Sequence, residues 1–453
     1  MDAVIYNARL VDADIDSEGA VFCRDGIICS VHMGSFRRRS DAEKLAAVVG
    51  IPRGNFIDAE GLALMPSFVD MHAHFRYPGQ TQKEDIDSAL AAAENGGFGT
   101  LVLMPNTNPV VSSSSLAKSI MKECSEKSRA TVFQTVSITK DFGGTDTSAI
   151  DDLSRDEFPV ISEDGHDVAS AAVMLEAMEK AGKKGIVVAC HCEDVELAKA
   201  ARPFRQAALR LMADNGIPAG IFDEIPGSVP ESVVSEIDGN LSRANSLLAL
   251  AEDAATERNL EIGALAHCHV HICHCSTKTS MDAVRNAKAR GIDCSVEVTP
   301  HHLSLVGTEE PNIRALVNPP LRSGEDRRAL IEALRDGTAD CIGTDHAPHT
   351  MEDKAAGSPG FTGLETAFAA CHTVLCAEEG FSLSRLSELM SANPAAILGL
   401  KSGRLRPGFA ASFSLVDTRE EWIVRAAEFK SKGKSTPLEG KKLVGRVKRM
   451  IYC

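Results

Sequence analysis

Pro66-Ser67-Phe68-Val69-Asp70-Met71-His72-Ala73-His74-Phe75-Arg76-Tyr77-Pro78-Gly79 decides how this chain is read. A short apolar run, Leu62 to Met65, leads into it, so a strand is expected to end in His-x-His followed by arginine. Residues i and i+2 of a strand face the same way. His72 and His74 can therefore address one object. Two neutral imidazoles converging at a strand end suit a borderline cation such as zinc. His-x-His alone is a weak signal, and its weight depends on whether matching donors recur at later strand ends.

They do recur. From residue 62 to about 398 the pattern alternates strand, loop and helix. Lys83 to Asn95 reads as a helix, with Ile86, Leu90 and Ala93 on one side and Gly96-Gly97 to stop it. Thr100 to Met104 reads as a buried strand running into Pro105-Asn106-Thr107-Asn108-Pro109. Val168 to Ala181 has helical spacing, and Gly185 to Cys190 is a strand ending at His191. Val270 to Cys273 ends at His274, Met281 to Ala289 is helical, and Ile292 to Thr299 is a strand before His301-His302. Ser323 can cap a helix to Arg335, with Asp326 in the capping-box position. Cys341 to Thr344 is a strand ending at Asp345. Such alternation implies parallel β/α units, and their number favours a closed (β/α)8 TIM-type barrel over an open sheet.

The polar residues fall at the C-terminal ends of successive strands, the catalytic face of such a barrel. The set is His72, His74, Asp164, His191, His274 and Asp345. Six donors fit two metal ions better than one, provided one carboxylate bridges. His267, His269 and His271 precede a strand end and read as packing or supporting groups; His301 and His302 can cap a turn.

The first 60 residues differ in texture. Ala3 to Leu10 and Gly26 to Met33 have strand length, while Asp12 to Gly19 and Arg37 to Lys44 read as polar breaks. Ser412 to Val416 and Glu421 to Val424 are again strand-like. Both ends are expected to pair into one small β domain, giving residues 1–60 and 399–453 to that domain and 61–398 to the barrel.

The 453 residues carry 48 basic and 63 acidic side chains, a formal charge of −15, which does not suit a general nucleic-acid binder. A small anionic substrate is compatible, since one pocket arginine acts locally. No apolar run has membrane-spanning length, and the start lacks a basic-then-apolar signal segment. Thirteen scattered cysteines read as reduced thiols, as expected in the cytoplasm.

Several segments together resemble one family. Asp70-Met71-His72-Ala73-His74-Phe75-Arg76, Met104 to Pro109, Ser162-Glu163-Asp164-Gly165 and His191-Cys192-Glu193-Asp194 are four of them. Cys273 to Lys278, Pro300-His301-His302-Leu303, Asn318-Pro319-Pro320-Leu321-Arg322, Thr344 to His349 and Gly363 to Phe368 complete the series. The chain resembles the type I dihydroorotases of the cyclic amidohydrolase superfamily over most of residues 60–410. Tyr77 stands where the family usually has glutamate, Glu163 where it has the first acid of Asp-Asp-Gly, and Ser412 where aspartate is common. Pro218 to Asn240, rich in turn and acidic residues, fits least and reads as a loop or contact surface.

The resemblance implies two zinc ions per chain. His72, His74 and Asp345 would hold one, His191 and His274 the other, and Asp164 would bridge. Asp345 would take the proton of the attacking water and pass it to the leaving ring nitrogen. Arg76 would grip the substrate carboxylate bidentately, Asn106 would share it, and Asn318 and His349 lie on candidate substrate loops. The implied reaction is reversible cyclisation of N-carbamoyl-L-aspartate to L-dihydroorotate in pyrimidine synthesis. A hydantoinase or allantoinase would use the same metal chemistry, and a non-catalytic homologue partnering a carbamoyltransferase is a third reading. Self-association, as a dimer for instance, and contact with an aspartate carbamoyltransferase are the partner expectations.

Overall fold

Eight short parallel strands close on themselves, and the two ends of the chain build a sheet beside them. In the computed structural model, which describes residues 2–52, 54–217, 225, 227–309 and 311–453, the chain starts in that side sheet. β1 (Ala3–Val11), β2 (Asp16–Arg24) and β3 (Ile27–Met33) form a meander. Helix α1 (Arg39–Val49) and the short strands β4 (Asn55–Asp58) and β5 (Ala63–Pro66) follow.

The barrel runs β6 (Phe68–Ala73), α2 (Ile86–Gly96), β7 (Phe98–Leu103), α3 (Ser114–Lys127), β8 (Thr131–Gln134) and β9 (Val160–Ser162). It continues through α4 (Ala171–Lys184), β10 (Val187–Cys190), α5 (Val195–Asp214), α6 (Glu231–Ala266), β11 (Val270–Ile272), α7 (Lys278–Ala289) and β12 (Cys294–Val298). After α8 (Pro300–Ser304) and α9 (Gly324–Asp336) come β13 (Cys341–Ile342) and α10 (Met351–Ala355). Strands β6 to β8 pair in parallel, as do β9 to β13. Parallel bridges Ser137–Ser162 and Ala73–His346 join the two arcs into a ring. β14 (Ser412–Ile423) and β15 (Lys442–Tyr452) return to the side sheet, whose order is β15-β14-β5-β1-β2-β3 with β4 on β1.

Alternation within the barrel strands makes two apolar layers. Leu101, Val188, Cys190, Val270, Ile272, Val296 and Val298 pack outward against the helices. Val69, Met71, Val102, Val187, Ala189, Cys273 and Cys341 fill the interior. α2 is capped by Asp85 and stopped at Gly97, whose φ of 86° is one that glycine adopts without strain. Ser323 and Asp326 form the expected capping box on α9.

Four expectations need correction. The apolar run before Pro66 belongs to the side sheet as β5, paired with β1 and β14, so the His-x-His strand begins afresh at Phe68. The stretch 12–19, read as a break, contains the start of β2: its acidic first residues face solvent and Gly19 to Cys23 are buried. The stretch 37–44 leads into α1, which buries Ala42 and Ala46 among Val4, Tyr6, Ala20 and Phe22. Of the segment 218–240, residues 218–224 and 226 lie outside the described residues, but 231–240 open the 36-residue helix α6. α5 packs on α6 through Ala198, Ala201, Ala244 and Leu248, the three alanines letting the two helices approach closely.

Candidate active site

Four imidazoles surround one carboxylate. Asp164 lies two residues past the end of β9, and its Oδ1 lies 3.2 Å from His72 Nε2, 3.2 Å from His191 Nδ1 and 3.7 Å from His274 Nε2. Its Oδ2 lies 3.5 Å from His74 Nε2. Asp345, just past β13, places Oδ1 3.2 Å from His74 Nε2 and 3.7 Å from His72 Nε2. The donors leave the C-terminal ends of five strands, His72 and His74 sharing β6, so the closure of the barrel brings them together. Arg76, His274 and Asp345 have positive φ (55°, 34° and 45°), a conformation that costs free energy and is retained where side chains must converge.

Hydrogen bonds behind the histidines orient their lone pairs. His72 Nδ1 contacts Glu297 Oε1 at 2.9 Å and His74 Nδ1 contacts Asn106 Oδ1 at 2.9 Å. A carboxylate and an amide oxygen only accept, so each Nδ1 carries the proton and each Nε2 presents a lone pair to the centre. His191 Nδ1 and His274 Nε2 meet at 2.9 Å. His72 Nε2 is buried without a hydrogen-bond partner. Such converging nitrogens around carboxylates are a donor set for divalent cations, and the sets His72–His74–Asp345 and His72–Asp164–His274 each have ligand atoms close enough to share an ion. The residues fit one or two metal ions.

The charges respond to this crowding. Burial alone would raise Asp164 and Asp345, but the surrounding histidines outweigh it and hold both carboxyls below the usual range. Burial opposes charging of His191, yet Asp164 lifts it to about 9. Burial and its cationic neighbours Arg76, Lys83 and Lys354 depress His349 to about 3, so this ring is neutral and its Nε2 accepts from Arg76 Nη2 at 3.2 Å. Burial lowers Arg76 to about 10, which leaves it cationic at neutral pH.

A cavity of about 210 Å³ opens over the centre. It is lined by His74, Asp164, His191, His274 and Asp345 and by Arg76, Asn106, Asn318 and His349; His72 lies beneath, fully buried. Arg76 donates Nε–H to the Pro348 carbonyl at 3.1 Å and forms no ion pair among the described residues. The Asn106 amide also donates Nδ2–H to Asp164 Oδ2 at 3.2 Å. Gly165 is needed here, since a Cβ would sit 2.7 Å from Asn106 Nδ2. Glu163 turns away: it accepts from the Thr139 backbone N–H at 2.8 Å, and burial pushes it up to about 7. Tyr77 also faces outward, its hydroxyl donating to Glu123 at 2.8 Å.

Three participants escaped sequence reading. Glu297 lies within β12, fully buried between His72 and His271, whose Nε2 is 3.3 Å from its other oxygen. A lone acid inside Ser-Val-Glu-Val was the available signal. Arg205 on α5 donates to Asn318 Oδ1 at 2.7 Å. Lys354 on α10, fully buried, donates to the carbonyls of Leu316, Ser358 and Gly360 at 3.0, 2.8 and 2.9 Å. No local pattern marks either of the last two.

Residues 61–206 match the Dihydro-orotase-like family and residues 238–443 the Amidohydrolase family. A dihydroorotase of Clostridium botulinum (strain Eklund 17B / Type B) is 36% identical over 448 residues, covering 99% of this chain and 97% of the relative. One from Lactobacillus gasseri is 36% identical over 453 residues, covering 98% and 94%. Among solved structures, the L-hydantoinase of Arthrobacter aurescens superposes with a TM-score of 0.79 at 22% identity, covering 100% of this chain and 94% of that one. The dihydropyrimidinase of Brevibacillus agri NCHU1002 gives 0.77 at 17%, with the same coverage. These two speak for the fold. Identity maintained along nearly the full length of both dihydroorotases, around a centre of this composition, makes the chain an enzyme of the amidohydrolase superfamily and a member of its dihydroorotase family.

Proposed function

We propose that the enzyme is a dihydroorotase, closing N-carbamoyl-L-aspartate to L-dihydroorotate and water and running in reverse. The observation that carries this reading is Arg76. A guanidinium is buried in the wall of the metal-site cavity, and no carboxylate among the described residues pairs with it. A buried charge without a partner is costly, and a substrate carboxylate would complete it. Dihydroorotate carries one beside its cyclic amide.

The proposed ion set is two zincs, with His72, His74 and Asp345 on one, His191 and His274 on the other, and Asp164 between them. When bound they would polarise the scissile carbonyl and acidify the attacking water. Asp345 is the proposed proton carrier, since its carboxylate stays ionised and lies at the cavity floor. Arg76 would hold the ring carboxylate through its two-pronged fork, with His349 and Asn106 beside it. Neutral His349 supports Arg76 without repelling it.

The test follows ring opening and closure with dihydroorotate, hydantoin and allantoin on metal-replete protein. Dihydroorotate should turn over fastest. Faster turnover of hydantoin or allantoin, which lack the ring carboxylate, would overturn the substrate assignment while leaving the metal centre in place. Metal analysis of protein purified without chelator should find up to two zincs per chain; active enzyme free of metal would remove the mechanism.

A further inference from the structure

We infer that Arg205 is a positioning residue that fixes the Asn318 side chain as a hydrogen-bond donor to substrate. This deepens the reading of the same cavity and rests on it. Asn318 stands in the cavity wall. An amide side chain can present either its oxygen or its nitrogen, and the two ends are easily exchanged. Arg205 removes that freedom. A guanidinium has five N–H groups and no acceptor, so the atom 2.7 Å from its Nη1 must be Asn318 Oδ1. The Nδ2 group then points away from Arg205, and no group among the described residues takes its hydrogens. It is left for an oxygen of the bound cyclic amide that the metal centre does not hold.

The surroundings keep the arginine and the loop in register. Arg205 Nη2 donates to the Val317 carbonyl at 3.2 Å, so one fork grips both the backbone and the side chain of adjacent residues. The preceding carbonyl, Leu316, accepts from Lys354 at 3.0 Å. Leu316 also packs among Ala208, Met212, Ile237 and Leu241 of α5 and α6. Arg205 as a whole is only partly buried, but its Nε is sequestered without a partner, and it forms no ion pair among the described residues. An arginine on the rim of a helix pair usually turns to water or to an acid. Here it spends its fork on neutral oxygens of the loop that carries Asn318.

A double-mutant cycle tests this. Arg205→Met, Asn318→Ala and the double variant are compared by kcat/KM on whichever cyclic amide the wild type opens, with metal content checked in each. An error in the substrate assignment thus leaves the cycle readable. Each single change should lower kcat/KM by about 10-fold or more, with metal retained. If Arg205 acts through Asn318, the double variant should be no worse than Asn318→Ala by more than about 3-fold. Losses that multiply, or an unimpaired Arg205→Met, would overturn the assignment. Asn318→Asp covers the case in which Arg205→Met does not fold: its carboxylate can still pair with Arg205 but offers no N–H to the cavity. It should lose kcat/KM as Asn318→Ala does, and wild-type kinetics in that variant would refute the donor role.

Discussion

The cavity has two halves built on different principles. The metal half takes its donors from five strand ends, where closure of the ring fixes each Cα and side chains behind the centre fix the imidazoles of His72 and His74. The substrate half is made by the 316–320 and 347–360 loops, held in place by cations, Lys354 on three carbonyls and Arg205 on Val317 and Asn318. The first half sets two carboxylates, Asp164 and Asp345, among its imidazoles, a donor set for positive charge from outside. The second is cationic in itself and suits an anionic substrate. In the proposed reading, the metal chemistry resides in the strand ends, and the choice of substrate resides in Arg76 together with these loops.

The largest effect expected is on the metal half. Asp164→Ala should strip metal and cut turnover by roughly 1,000-fold or more, because one carboxylate faces four imidazoles. Glu163→Ala should be milder, since that side chain is tied to Thr139. Equal, small losses would put the bridge elsewhere and erase the division between the halves. Next, Arg76→Ala should lower kcat/KM by roughly 100-fold with metal content unchanged, and Arg76→Lys should recover only part, since an ammonium has no fork. Loss of metal in Arg76→Ala would show the halves to be one unit.

Glu297→Gln should weaken metal binding by about 10-fold, through the orientation of His72. Competition with a chelator reads this directly, and unchanged affinity would make Glu297 a packing residue.

The smallest effect belongs to a scaffold contact outside both halves. Asp85 caps α2 and pairs with Lys432 of the C-terminal segment. Asp85→Ala should cost about 1 kcal/mol in unfolding at neutral pH and leave kinetics alone. Burial would raise the Asp85 carboxyl, but the bonds from Lys432 and Ser88 lower it to about 2, against 3.8 ordinarily. Its contribution is therefore present above pH 3.8 and lost as pH falls through about 2. The stability gap between wild type and variant should close over that window. A pH-independent gap would mean that the cap's charge is idle.

The two halves also differ in how far the sequence discloses them. His72, His191, His274 and Asp345 each lie at or just past the end of a short strand rich in apolar residues, and strand alternation brings such residues to one rim whatever the loops do. The substrate loops have no such period. Arg205 lies ten residues into α5 and Lys354 within a five-residue helix, and only folding carries them to the carbonyls of 316 and 317. Glu297 stood between these cases, on a strand but inside the barrel. β2 and α1 were hidden because their polar residues come first and their small buried ones later. Helix α6 was obscured at its start, where a proline precedes it and no side chain caps it.

β5 lies between β1 and β14 in the side sheet, with Met65 opposite Ser414. Roughly 350 residues must therefore be translated between the two partners, a delay of about 20–70 seconds at ordinary ribosome speeds. Through that interval all eight barrel strands emerge while Ala63, Leu64 and Met65, buried in the finished fold, present an open backbone edge. An unpaired apolar edge is a template for association with other chains. A nascent chain stalled before residue 412 thus exposes this edge, and a chaperone that shields it has a four-residue target.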